Sequence, residues 1–196
     1  MSNKVRQRLS RDERYRQLMD VAWTIVRTEG AEALTLGRLA VQAGVTKPVV
    51  YDHFGTRNGL LVALYQEFDV RQTALIERAI EDSDGTLASC AQAIADGYVD
   101  CVMAQAKEIP GVAAALGTLP ELENVKRTHK AAFLKKCQTA LASFSPCGTV
   151  HFSGLQAMLG AAEALSYAAA AKDITQEQAK TELRATIVDM VARQAG

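Results

Sequence analysis

The stretch Leu34–Leu64, LTLGRLAVQAGVTKPVVYDHFGTRNGLLVAL, decides how the first part of this 196-residue chain folds. A short helix is expected to follow Thr35 and to stop at Gly44, where glycine can adopt the turn conformation. A second short helix is expected to begin after Thr46 and to close at Phe54-Gly55. Two short helices joined by a glycine-containing turn predict a helix-turn-helix, whose second helix can enter the major groove of DNA.

The preceding segment supplies the helix on which this pair would pack. Ser10 and Glu13 have the spacing of a capping box, and Gly30 stands where a helix commonly ends. Apolar residues recur between them at helical spacing: Tyr15, Leu18, Met19, Ala22, Trp23 and Val26. We expect Ala40, Val50 and Phe54 to pin the helix-turn-helix to this face.

The rest of the chain also shows the 3.6-residue repeat, with only four prolines. Helices are predicted over about 57–82, 86–107, 120–144 and 149–172, and from after Asp173 to the C-terminus. The predicted fold is therefore all-α. It comprises a three-helix DNA-binding domain over residues 1–56, with a basic arm at its start, and a helical bundle over residues 57–196.

Composition and charge exclude several classes of protein. Hydrophobic residues make up 48% of the chain, which is too many for a wholly disordered protein. No apolar run is long enough to span a membrane, no signal sequence is recognisable, and the four cysteines lack metal-site spacing. We expect a cytoplasmic protein with reduced thiols. The net charge is zero, yet residues 1–60 carry 10 basic and 6 acidic side chains, which favours an anionic partner at this end.

The stretch resembles the DNA-binding domain of the tetracycline-repressor (TetR) family of bacterial regulators. The resemblance covers about residues 10–64, and the residues that carry it are Leu34-Thr35, Leu39-Ala40, Ala43-Gly44-Val45-Thr46, Tyr51, His53-Phe54 and Leu60-Leu61. It implies a sequence-specific transcriptional regulator, most often a repressor, that a small-molecule effector releases from its operator. Two departures stand out: Gly37 occupies a position that is often larger and basic, and Asn58-Gly59 follows Arg57 where Glu is common.

The resemblance also implies roles for individual residues. Lys47 and Val49 would face base edges, and Pro48 would touch bases or sugars. The other members of the predicted DNA-binding set would hold phosphates or cap a helix: Thr35, Thr46, Tyr51, His53 and Arg57. Phosphate contacts set the register of the protein on DNA and carry no sequence information.

The helical bundle is expected to form a homodimer and to hold the effector. Two faces are predicted to pair across a two-fold axis: small residues of the eighth helix (Ala157, Gly160, Ala161, Ala164 and Ala168) and apolar residues of the ninth (Leu183, Ile187, Met190 and Val191). The predicted effector pocket comprises Tyr98, Val102, His129, Phe133 and Met158, although core packing would explain these residues equally well. A dimer predicts a pseudo-palindromic operator.

Other features of the sequence carry weaker predictions. Cys147 and His151 stand four residues apart, but no further metal ligand is identifiable, so we predict no metal site and no cofactor. No nucleophile elbow, phosphate-binding loop or dinucleotide fingerprint is present, so we predict no enzymatic activity. The alternative is a helical small-molecule-binding or protein-interaction module, in which the turn motif serves only for packing.

Overall fold

The computed structural model describes residues 9–109, 111–116 and 120–193, except for the side chains of residues 113 and 122. Those residues are overwhelmingly helical and contain no strand, so the all-α prediction is confirmed. The helices are α1 (Arg11–Glu29), α2 (Leu36–Ala43), α3 (Lys47–Phe54), α4 (Arg57–Glu81), α5 (Leu87–Glu108), α6 (Val112–Leu116), α7 (Pro120–Ala142), α8 (Phe152–Ala171) and α9 (Gln176–Ala192). A single 3-10 turn, Ala31–Ala33, separates α1 from α2.

The predicted capping box begins α1. The Ser10 hydroxyl accepts from the Glu13 main-chain N–H at 3.2 Å, and the Glu13 carboxylate accepts from the Ser10 N–H at 2.8 Å. These hydrogen bonds hold the pKa of the Glu13 carboxyl below its ordinary value. Because the two residues satisfy each other's main-chain donors, the helix starts at a defined residue.

Helix α8 begins three residues later than the prediction. Residues 143–149 form a turn, and His151 occupies the N-cap position of α8. Cys147 therefore lies in the turn and does not share a helix face with His151. The described residues contain no group of three or more side chains that could hold a metal ion.

The described chain forms two compact units. The first contains residues 9–66 together with 108–109 and 111–116. It thus extends beyond the predicted boundary at residue 56 and includes the start of α4. Its apolar core combines α1, α2, α3, the start of α4 and α6, and the fully buried members include Leu18, Ile25, Leu34, Leu39, Leu60, Leu61, Leu64, Ile109 and Leu116.

The second unit contains residues 67–107 and 120–193 and has its own core. The apolar side of α9 lies inside it: Leu183, Ile187, Met190 and Val191 are at most 2% exposed within a single chain. Side chains without accessible surface cannot contact a second copy, so the prediction that these four residues form a dimer interface is wrong. An apolar face with the 3.6-residue repeat can pack in the core of its own chain or against a partner. The sequence pattern alone therefore does not distinguish a core face from an interface.

Measured by length and hydropathy, none of the helices in the described ranges could cross a membrane.

Candidate nucleic-acid interface

The turn between α2 and α3 is fixed by main-chain geometry. Gly44 ends α2 in the left-handed conformation (φ 65°, ψ 35°), which glycine adopts without steric cost. The Val45 N–H then donates to the Ala40 carbonyl at 3.0 Å, and the Gln17 amide donates to the Ala43 carbonyl at 3.3 Å. The turn is thereby attached to α1 by a hydrogen bond that the sequence did not predict.

One face of α3 is anchored in the core of the first unit. Val50 is fully buried and Phe54 is 8% exposed, with the Phe54 ring 5.6 Å from that of Tyr15. Because α3 is anchored on this side, its opposite face points to solvent. Lys47, Pro48 and Tyr51 are exposed there.

Two predicted contact residues on α3 are less accessible. Val49 is half-buried, and His53 is half-buried with its ring 6.1 Å from that of Tyr15. Only the exposed part of each side chain is therefore accessible for the proposed contacts with DNA.

The N-termini of α2 and α3 differ in how they are capped. Thr35 accepts from the Arg38 N–H at 3.0 Å, which leaves its hydroxyl hydrogen available to a phosphate oxygen. Thr46 occupies the N-cap of α3 with extended backbone, but its side chain makes no capping hydrogen bond. Both positions present unbonded main-chain N–H groups, the arrangement that binds anions at helix starts.

Arg57 makes contacts within its own domain that the sequence did not predict. Its guanidinium donates from Nε to the Leu34 carbonyl at 2.8 Å and from Nη2 to the Ala31 carbonyl at 2.8 Å. Glu32 also lies 3.8 Å away. Arg57 therefore ties the start of α4 to the segment before α2. This role is not visible in sequence, because it depends on carbonyls 23 and 26 residues away.

The predicted effector residues of α5 and α7 come together in the second unit. The rings of Tyr98 and Phe133 lie 5.3 Å apart at an angle of 50°. Val102 and His129 are half-buried on the same two helices. Met158, from α8, is 1% exposed and belongs to the core of the unit.

Asp69 on α4 is not among the residues predicted from the sequence. Its Oδ2 atom lies 2.6 Å from His129 Nδ1, at ion-pair distance but without hydrogen-bond alignment. Burial raises the pKa of the Asp69 carboxyl above its ordinary value, while His129 and Lys136 act in the opposite direction. A single acidic residue on a long amphipathic helix does not stand out in the sequence. Its proximity to His129 becomes visible only in the folded structure.

The small-residue face of α8 is only partly free. Ala157, Gly160 and Ala164 are exposed, whereas Ala161 and Ala168 are half-buried. Two aromatic side chains flank the exposed part: Phe152 is 63% exposed and Tyr167 is 77% exposed. A helix face that combines small residues with exposed aromatic rings can approach another backbone closely.

Residues 18–64 match a family model that is described as bacterial regulatory proteins, tetR family. The HTH-type transcriptional activator FasR of Mycolicibacterium smegmatis is 41% identical over 59 residues. That match covers 30% of this chain and spans 27% of the relative's length.

Solved structures resemble nearly the whole chain. A TetR-family transcriptional regulator from Streptomyces coelicolor superposes with a TM-score of 0.64 at 17% identity, covering 94% of this chain and 97% of that one. The multidrug binding protein EbrR, solved with imidazole, gives a TM-score of 0.65 at 16% identity, covering 92% and 96%. At these identities the likeness establishes the fold alone.

Proposed function

We propose that this chain, whose residues 18–64 belong to the tetR family of bacterial regulatory proteins, is a sequence-specific DNA-binding transcriptional regulator. The observation that carries the proposal is the start of α3. Lys47, Pro48 and Tyr51 are exposed, while Val50 and Phe54 of the same helix are buried. The helix is thus held rigidly with its first turn outward, as insertion into the major groove requires.

The exposed residues divide into two groups by chemistry. Lys47 can donate to guanine O6 or N7, and Val49 can contact a thymine methyl group. Thr35, Thr46, Tyr51 and the edge of His53 can donate to phosphate oxygens and set the register. Arg57 also belongs to this second group, and its Nε and Nη2 atoms in addition hold two main-chain carbonyls of the same domain.

The proposed regulator is a homodimer that pairs through the exposed part of α8. Ala157, Gly160 and Ala164 offer no bulk to hold two helices apart, and Phe152 and Tyr167 supply apolar area beside them. Two recognition helices in a dimer of this kind read half-sites about 34 Å apart, one turn of DNA, so the operator is an inverted repeat.

The second unit is proposed to bind a small-molecule effector. The Tyr98–Phe133 ring pair and the Asp69–His129 pair bring aromatic and ionisable groups from α4, α5 and α7 together. A similar structure, EbrR, is described as a multidrug binding protein complexed with imidazole. An aromatic effector with one hydrogen-bonding or charged group would suit these side chains.

Release from DNA requires that the effector prefer one conformation over another. An effector that binds both conformations equally shifts nothing, however tightly it binds. Helix α4 contributes residues to both units, so a shift of α4 is the proposed link. We propose that the protein represses transcription when no effector is bound. A promoter–reporter assay decides the direction, since the relative FasR is named an activator.

The proposal is tested by selecting bound sites from a random duplex library with the purified chain at near-physiological salt. Enrichment of an inverted repeat supports a dimeric specific regulator. A folded protein that enriches no sequence refutes the proposal and favours the alternative of a protein-interaction or ligand-binding module. The selection is repeated after refolding from denaturant, because a co-purified effector would otherwise suppress DNA binding.

A further inference from the structure

Gly37 lies in the first turn of α2, beside the start of α3. A Cβ atom added to Gly37 would lie 3.7 Å from Lys47 Cε and 3.9 Å from Thr35 Oγ1. The end of the lysine side chain therefore lies across the bare Cα of the glycine. A methyl group at position 37 would already touch this part of Lys47, so a larger branched side chain there competes with Lys47 for the same space.

The neighbouring cations are engaged elsewhere. Arg38 donates to the Glu29 carboxylate at 2.9 Å, and Arg57 donates to main-chain carbonyls. Within the described residues of α2 and α3, Lys47 is the one lysine or arginine without an ion pair. Lys47 is thus the cation of these two helices that no carboxylate holds in place, and the direction of its side chain affects where positive charge meets DNA.

We propose that Gly37 is a positioning residue for base readout. By lacking a side chain, it gives Lys47 a route along the α2 side of the recognition helix. The base pair to which Lys47 donates is therefore set jointly by positions 37 and 47. The inference rests on the proposed function, since it concerns how the same surface selects its operator.

Two substitutions separate this role from a general effect on folding. In Gly37→Ala the added methyl carbon sits at an ordinary contact distance from Lys47, so the lysine keeps its route. In Gly37→Leu the branched carbons occupy that route. Both replacements favour the helix, because glycine is less favourable than alanine or leucine in a helix. Loss of readout in Gly37→Leu would therefore not reflect unfolding, which a thermal melt of each variant checks.

The test is selection from a random duplex library with five proteins: wild type, Gly37→Ala, Gly37→Leu, Lys47→Ala and the double variant Gly37→Leu with Lys47→Ala. Wild type and Gly37→Ala should enrich the same sequence. Lys47→Ala should lose preference at one base pair per half-site by about tenfold, the scale of one specific side-chain contact. Gly37→Leu should lose preference at that same base pair, and the double variant should lose no more than either single variant.

Two results would overturn the inference. One is a Gly37→Leu protein that keeps the wild-type preference at the base pair that Lys47→Ala affects. The other is a double variant whose losses are the product of the two single losses, since independent positions act additively in free energy. Failure of the proposed function is distinguishable, because the wild-type chain would then enrich nothing.

Discussion

The Arg57 guanidinium donates to the Leu34 carbonyl at 2.8 Å, across 23 residues of chain. Leu34 is fully buried, so this carbonyl has little access to water as a substitute partner. The same guanidinium satisfies the Ala31 carbonyl. One side chain at the start of α4 therefore fixes the segment that positions α2.

Arg57→Ala is expected to destabilise the first unit. Removing the guanidinium takes the donor from the buried Leu34 carbonyl, whereas the Ala31 carbonyl keeps the Leu34 N–H at 3.2 Å. A buried polar group left unpaired costs about 1–3 kcal/mol. Arg57→Lys can restore one of the two hydrogen bonds and should lie between alanine and wild type. Chemical denaturation of the three proteins measures the difference. Unchanged stability would contradict this role, whereas a shallower salt dependence of DNA binding would show the proposed contact of Arg57 with phosphate.

Tyr51→Phe is expected to weaken binding to all DNA sequences alike. The Tyr51 side chain is 53% exposed on α3, so its hydroxyl can donate to a phosphate without supporting the fold. The control is Thr181→Val, which removes an exposed hydroxyl from α9, outside the proposed DNA-binding and dimer surfaces. Fluorescence anisotropy with the selected operator and with an unrelated duplex gives the comparison. A changed sequence preference in Tyr51→Phe would assign it to base readout.

Gly97→Ala is expected to destabilise the second unit. A Cβ atom at Gly97 would lie 2.5 Å from Ile76 Cγ1, so α4 or the isoleucine must move. Overpacking of this kind costs about 1–3 kcal/mol. Ile76→Ala removes the clashing atom, and it should therefore cost less in the Gly97→Ala background than in wild type. A double-mutant cycle measures this coupling, and simple additivity would contradict the close approach.

The dimer proposal predicts different outcomes for two glutamate substitutions. Ala164→Glu places a charge on the exposed face of α8 and should yield folded monomers. Leu183→Glu buries a charge in the core of one chain and should unfold the second unit. Ala79→Glu, at an exposed position of α4, is the control and should stay dimeric. Sedimentation and circular dichroism separate the three cases, and a dimeric Ala164→Glu protein would exclude this interface.

The Asp69 carboxyl predicts a pH dependence of stability. Its pKa is raised above the ordinary 3.8 in the folded state, mainly by burial, so the folded protein binds this proton more tightly than the unfolded chain does. The contribution of this carboxyl to the free energy of unfolding is therefore fully present below pH 3.8. It is lost as the pH rises through the higher pKa of the folded state. The Asp69→Asn side chain cannot ionise. The free energy of unfolding of this variant should therefore rise relative to that of wild type as the pH increases through this interval. A difference that stays constant with pH would contradict the assignment.

The sequence predicted most of the fold because local signals are strong in this chain. Helices begin after Ser10 and Thr35 and end at Gly30 and Gly44, as expected. These boundaries are predictable because caps and glycine turns depend on residues that are neighbours in the sequence. The buried face of α3, with Val50 and Phe54, also followed from the apolar residues. Long-range partners did not: Arg57 with Leu34 and Asp69 with His129 depend on which helices meet. Leu183 shows the same limit, because one apolar stripe can meet its own chain or a second copy.

The proposal that two chains read two half-sites is tested by titrating the protein against three duplexes. The duplexes are the enriched inverted repeat, the same repeat with one half-site scrambled, and an unrelated sequence, all at one salt concentration. The proposal predicts that two chains bind the intact repeat. The affinity should fall when one half-site is scrambled and should be lowest for the unrelated duplex. Equal affinity for all three duplexes would contradict it.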